Sequence, residues 1–363
     1  MRVRSLDVFR GLTMAGMVIV NNPGDWGAVY APLLHAEWHG WTPTDLIFPW
    51  FLFIMGAAVA LAGPGRASWG AVARRAGALV GLGLFLAGYP HFDPARWRIP
   101  GVLFRLGVCY AGAAAVWKIA AAGDWRRSVA RTAAVVAASL LGYWALLALV
   151  APPGGVAGDL TPDGNLGAWV DRAVFGRHLW KTTWDPEGLL SSIPAVGTTL
   201  CGAMAGAWMR ERRPSGAAAG LLTAGGAAIA TGLVWDVVFP INKSLWTSSY
   251  AIFTAGTACV VLGLLHLALD GSRRAPWLDH ASEPLVALGR NALLLFVVSG
   301  LVAKTLLVWQ VGAAGSAQQW IFARVFAPWA APRNASLAYA ATNLAVLYGL
   351  LAWLHGRRWY WSV

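Results

Sequence analysis

Residues 44–63 read TDLIFPWFLFIMGAAVALAG, a stretch whose one charged side chain, Asp45, stands at its start. An apolar helix needs about 20 residues to cross a hydrocarbon core of roughly 30 Å, so this stretch has the length and composition of a membrane span. Nine further runs match it, near 5–22, 70–88, 101–119, 130–151, 188–208, 215–235, 245–268, 285–309 and 336–355. Of the 363 residues, 58% are hydrophobic and 12% charged, which excludes a chain made of the half-polar elements of soluble domains. The runs are continuous and lack the alternation of barrel strands, because only helices and closed barrels satisfy every backbone group in lipid. The sequence predicts an all-α polytopic membrane protein of about ten transmembrane helices, forming one transmembrane domain over 1–363.

Asn21, Asn22 and Pro23 follow the first run where small residues would favour signal-peptide cleavage, so it reads as a retained helix. The formal charge of +12 is spread through short connections, which argues for membrane orientation rather than nucleic-acid binding. With both termini cytoplasmic, eighteen of the 28 Lys and Arg fall inside, among them Arg2, Arg66, Arg273 and Arg274, and ten outside. The outer loops then lie near 22–43, 152–187 and 310–335. The cluster of Gly, Pro, Asp and Asn at 152–165 predicts turns. Cys109, Cys201 and Cys259 lie inside apolar runs, which suggests neither a disulfide framework nor a metal cluster, and no metal is expected. No internal repeat is evident, which weakens a transporter of the inverted-repeat type.

Polar residues gather around the first two runs. Arg10 and Asn21 are eleven residues apart, which returns them to nearly one helical face at a rise of roughly 16 Å. Arg10 is either a site cation or an interfacial arginine reaching water. Thr42, Pro43 and Asp45 read as N-cap, first and third positions of a helix, so Asp45 is either a cap or the partner of a base. Pro49 cannot donate to the carbonyl of Asp45, which predicts a kinked or opened helix start and an acceptor needing protein or water. His35, ten residues before Asp45, can take a proton near neutral pH if a carboxylate holds it.

Further on, DPEGLLSSIPAVGTTL is expected to open the sixth span with Asp185 and Glu187 at its N-terminus and to break at Pro194. The segment FPINKSLWTSSY puts Asn242, Lys243 and Trp246 at the entrance to the eighth span, an amide, a cation and an aromatic suited to a sugar. Gly289, Arg290 and Asn291 begin the ninth span, and Arg74 and Arg75 precede the body of the third, where they either meet phosphates or only set topology. Lys304 and Asn343 lie within spans, with no partner legible.

At LDVFRGLTMAGMVIVNN, HAEWHGWTPTDLIFPWFLFIMG, RIPGVLFRLGVCY, DPEGLLSSIPAVGTTLCGAMAG, PINKSLWTSSY and GRNALL, the chain resembles the transmembrane acyltransferase family typified by heparan-α-glucosaminide N-acetyltransferase. The resemblance implies an enzyme that takes an acetyl group from cytosolic acetyl-CoA and delivers it to an amino sugar across the bilayer. It places the catalytic histidine at His35, the acid at Asp45 and the asparagine at Asn21 or Asn22. No role passes to His39. The phosphates of acetyl-CoA are expected near Arg10, Arg74, Arg75, Arg290 and Asn291, and the acceptor near Asn242, Lys243, Trp246 and Glu187. A bacterial inner membrane and a cell-envelope amino sugar are expected, and whether the chain forms a homo-oligomer is open. The alternative is a transporter or flippase of sugars or lipid-linked sugars.

Overall fold

Each of the ten apolar runs is helical in the computed structural model, which describes residues 3–63, 68–120, 123–271, 275–312 and 315–361. Arg2, Arg66, Arg273 and Arg274, counted above toward the basic side, lie outside the described residues. The helices are α1 (Arg4–Asn21), α2 (Ile47–Ala62), α3 (Trp69–Gly88), α4 (Val102–Ala120), α5 (Trp125–Leu149), α6 (Leu166–Phe175), α7 (Ser192–Glu211), α8 (Pro214–Asp236), α9 (Ser248–Leu269), α10 (Pro276–Arg290), α11 (Ala292–Val308), α12 (Ala317–Ile321) and α13 (Pro332–Gly356). Among the described residues, seven helices are long and apolar enough to cross a membrane, or eight if α10 and α11, which meet at 70°, form one broken span.

Two of the ten predicted spans, α1 and α7, fall outside that count for a physical reason. Helix α1 carries Arg4, Asp7 and Arg10, and α7 is built largely of Gly, Ala, Ser and Thr. Both are central helices, which touch other helices more than lipid and so need small or polar faces rather than uniform apolarity. The α2–α7 contact shows how close the approach is. A Cβ placed on Gly202 would lie 1.9 Å from the carbonyl oxygen of Phe53, and one on Gly56 would lie 1.8 Å from that of Thr199. Around this seam Leu52, Leu106, Leu140, Leu200 and Tyr250 form the main apolar core.

Three sequence expectations need correction at their edges. Helix α7 starts at Ser192 instead of 188, so Asp185 and Glu187 precede it in a loop and do not occupy its first turn. Pro194 does not break α7; it stands in the first turn, where a missing N–H costs no intrahelical bond. The ninth span begins at Pro276 and is broken at Asn291. Between Asn291 and the C-terminal segment run two bonds, Asn291 Nδ2 to the Trp359 carbonyl (3.3 Å) and Trp361 N to Asn291 Oδ1 (3.0 Å). Segment 152–165 holds turns, as its composition suggested, and α6 follows it.

Candidate functional site

The loop between α1 and α2 is short of regular structure yet tightly held. Thr42 Oγ1 donates to the Leu34 carbonyl (2.6 Å), Trp38 Nε1 to that of Leu160 (2.8 Å), and Gly40 N to that of Ile241 (2.7 Å). A 3₁₀ turn over Pro43–Leu46 leads into α2, with Thr42 as N-cap and Pro43 at the first position. Asp45 Oδ2 accepts from the backbone N–H groups of Thr42 and Ala36, each at 3.0 Å, and Oδ1 accepts from His35 Nδ1 at 2.7 Å. Asp45 therefore caps the turn with one oxygen and pairs with His35 through the other. Its carboxylate is enclosed (1% exposed) while the His35 side chain is half exposed. An acceptor on Nδ1 fixes the proton there and leaves a lone pair on Nε2.

Lys243 completes the cluster. Its Nζ lies 3.0 and 3.1 Å from the two ring nitrogens of His35 and 3.6 Å from Asp45 Oδ1. Because Nδ1 donates to Asp45, Nε2 is the acceptor open to this ammonium. Burial pushes the Lys243 ammonium below the usual lysine range; Asp45 and Glu187 pull it back up, and Arg105 lowers it further. The loop that presents it is closed by its own residues. Leu245 N donates to Asn242 Oδ1 (2.8 Å), Asn242 N to Thr247 Oγ1 (3.0 Å), and Trp246 N to the Lys243 carbonyl (3.1 Å). Trp246 holds a φ of +49°, a left-handed conformation rare for a bulky residue. Its ring is buried edge-on to Phe48 and Tyr250, and its Nε1 donates to Thr198 Oγ1 at 3.2 Å.

Asn242 is likewise buried, with Nδ2 3.4 Å from His39 Nδ1, so Lys243 is the member of the trio that reaches His35. Glu187 pairs with Arg98, which also makes bidentate contacts of 2.8 and 2.6 Å with Asp185. Burial would raise the Glu187 carboxyl, but Arg98, Arg105 and Lys243 hold it below the usual range. Arg98 and Arg105 were given no role from sequence. An arginine inside the apolar run of α4 was the available signal, since an ionisable residue within a span marks a functional candidate.

Two cavities run along α1 and α4. One, about 360 Å³, is lined by Arg10, Arg75, Lys118 and Arg290 together with Tyr110, Trp117 and Trp361. The second, about 430 Å³, is lined by Asn21, Asn22, Arg98, Ser299 and Lys304. They share Met17, Val102, Leu103 and Phe296 and lie toward opposite ends of α1, α3 and α4. Of the residues expected near phosphates, Arg10, Arg75 and Arg290 line the first cavity, whereas Arg74 does not and Asn291 is buried under the C-terminal segment. Asn21 is exposed at the end of α1; among the described residues no hydrogen bond ties it to His35 or Asp45. Asn22 is buried, its Nδ2 donating to Val18 O (2.7 Å) and Ser299 Oγ (3.3 Å). Lys304 Nζ donates to the carbonyls of Leu86 and Tyr89 at the C-terminal end of α3. Among the described residues, no three His, Cys, Asp or Glu side chains are grouped to hold a metal.

Seven or eight apolar spans among the described residues, all of them helical, with a histidine–carboxylate–lysine cluster in the loops at one end, define a polytopic membrane protein. Within that class the chain resembles the heparan-α-glucosaminide N-acetyltransferases: the family model described as "Heparan-alpha-glucosaminide N-acetyltransferase, catalytic" matches residues 2–141, which include His35 and Asp45. It is 28% identical to heparan-α-glucosaminide N-acetyltransferase of Mus musculus over 82% of this chain and 53% of that protein. To the Homo sapiens enzyme it is 26% identical over 82% of this chain and 52% of that one. The chain thus spans about half the length of the curated relatives it matches.

Proposed function

We propose that the chain is a transmembrane acetyltransferase, folded as one transmembrane domain, that moves an acetyl group from acetyl-CoA on the cytoplasmic side to an amino sugar on the outer face. The observation that carries this reading is the His35–Asp45 pair at 2.7 Å with Lys243 beside Nε2 at 3.1 Å. In this reading both termini are cytoplasmic and the membrane is the bacterial inner membrane. Arg10, Arg75 and Arg290 receive the phosphates of the donor, because a guanidinium fork makes charge-assisted bonds to phosphate oxygens. The uncharged pantetheine arm then passes Met17, Val102, Leu103 and Phe296 into the second cavity, and Asn21 on that wall meets the thioester.

At the outer end His35 Nε2 takes a proton from the acceptor nitrogen as it attacks the thioester carbonyl, and Asp45 steadies the imidazolium that forms. Collapse of the tetrahedral adduct breaks the C–S bond, and the proton passes from His35 to the CoA thiolate. Lys243, already beside Nε2, supplies positive charge to the oxyanion, while Asn21 is a second donor. General-base assistance of this kind is worth about 10²- to 10⁴-fold, or roughly 3–5 kcal/mol.

The test is transfer of labelled acetyl from acetyl-CoA to glucosamine by purified protein in detergent, with wild type beside a folded His35→Ala variant. Product from wild type and a loss of about 10²-fold or more in the variant are expected. Equal product from both would remove His35 from the mechanism.

A further inference from the structure

Among the described residues, the buried side-chain nitrogens without a hydrogen-bond partner belong to Trp97, Trp117 and Arg105, and Arg105 contributes two of them, Nε and Nη1. Its guanidinium is fully enclosed. A buried cation with unpartnered N–H groups is costly, and such a group calls for a reason. The acetyl-transfer steps above do not use it.

Its surroundings supply the reason. The remaining nitrogen, Nη2, donates to the Gly188 carbonyl at 2.8 Å and to Ser191 Oγ, both in the loop that presents Glu187. The guanidinium carbon lies 5.0 Å from the centre of the Trp246 ring, and Trp246 closes the turn that begins at Lys243. One side chain from α4 therefore bridges the loop that presents Glu187 and the loop that brings Lys243 to the His35–Asp45 pair. The residue whose ring lies under that guanidinium is the one with the left-handed backbone.

We infer that Arg105 is a positioning residue, which clamps the Lys243 turn to the Glu187 loop and acts through Lys243 as an internal positive charge. The inference rests on the reading of His35, Asp45 and Lys243 as the reacting cluster. The charged and titratable groups around Lys243 are Asp45, Glu187, His35 and Arg105. Among the described residues Nε and Nη1 have no partner, and through a poorly screened interior the guanidinium disfavours the charged form of Lys243. Lys243 then holds its third proton less firmly and competes less for His35 Nε2 when an amine arrives. An arginine that only packed would not influence the titration of Lys243.

The experiment uses the full chain in detergent and follows labelling of Lys243 by a small amine-reactive acylating reagent across pH, quantified by mass spectrometry. Acetyl-transfer kcat and KM are measured alongside. Arg105→Gln is expected to move the labelling midpoint to higher pH and to lower kcat by about tenfold, the equivalent of one pKa unit, with KM for acetyl-CoA nearly unchanged. Arg105→Lys keeps the charge and is expected to leave the midpoint in place. An unmoved midpoint in Arg105→Gln, or an equal move in Arg105→Lys, overturns the inference. If Arg105→Gln does not fold, Arg105→Met takes its place with the same upward shift expected, and an unmoved midpoint overturns the inference. The labelling needs no acetyl transfer, so a normal midpoint shift with an inactive wild type would sink the acetyltransferase reading and leave the Arg105–Lys243 coupling standing.

Discussion

The phenol of Tyr250, in α9, donates a 2.6 Å hydrogen bond to the backbone carbonyl of Asp45, the acceptor that Pro49 leaves without its helical partner. The backbone gap opened by the proline is closed by a side chain from another helix, so the residue that holds His35 is anchored to the core through its main chain as well as its carboxylate.

Tyr250→Phe removes that donor and leaves a buried carbonyl unpaired, at a cost of about 1–3 kcal/mol. The variant should melt below wild type in detergent and lose activity through a looser His35–Asp45 contact. Equal melting temperatures would mean that water replaces the hydroxyl.

Asp171, on α6, accepts from Leu189 N at 2.8 Å, and burial raises its carboxyl to about 6. A carboxyl raised in the folded state contributes stability below its unfolded value, near 3.8, which is lost as pH climbs through about 6. Asp171→Asn keeps an acceptor for Leu189 N and removes that loss. It should stabilise the protein by on the order of 1–3 kcal/mol at pH 7.5, with the advantage gone by about pH 4. Melting curves at the two pH values measure it, and a gain independent of pH would point away from the carboxyl.

Arg10 and Arg290 line the cation-rich cavity, and Arg74 does not. Arg10→Gln and Arg290→Gln should each raise KM for acetyl-CoA by about tenfold, as expected for one charge-assisted phosphate contact. Arg74→Gln should leave KM where it was. The same rise in all three would show a general field effect and no particular binding wall.

Gly202→Ala puts a methyl group 1.9 Å from the Phe53 carbonyl, with backbone on both sides and no flexible side chain to yield. Folded protein should be lost, as judged by size-exclusion elution in detergent. Gly142→Ala, in α5 with nothing within 4 Å, should be neutral or slightly stabilising, because alanine favours a helix over glycine by about 1 kcal/mol. Tolerance of Gly202→Ala would mean that α2 and α7 can separate.

The helical spans were legible in the sequence because a hydrocarbon core imposes length and apolarity on each helix independently of its neighbours. The capped start of α2 was legible for a similar reason, since Thr42, Pro43 and Asp45 act within one turn. Where the prediction slipped, the deciding contact came from far along the chain. Asp185 and Glu187 look like helix-start acids until Arg98 is brought to them across the fold, and α7 begins only after that ion pair. Lys304 had no legible partner because the carbonyls of Leu86 and Tyr89 that it binds lie more than two hundred residues away.

By itself the sequence determined that the chain crosses a membrane many times, and it put His35 and Asp45 within reach of each other, ten residues apart on one loop. The tertiary structure alone decided that Lys243 joins them, that Trp246 is buried instead of facing an acceptor, that Arg98 takes up Glu187, and that Arg105 sits between the loops with two nitrogens unpartnered among the described residues. The physical reason is range. Apolarity, capping and proline geometry act over one or two turns and leave a local signature. A charge buried in a low-dielectric interior is defined by whichever distant groups packing brings to it, and those are set only when the helices close on one another.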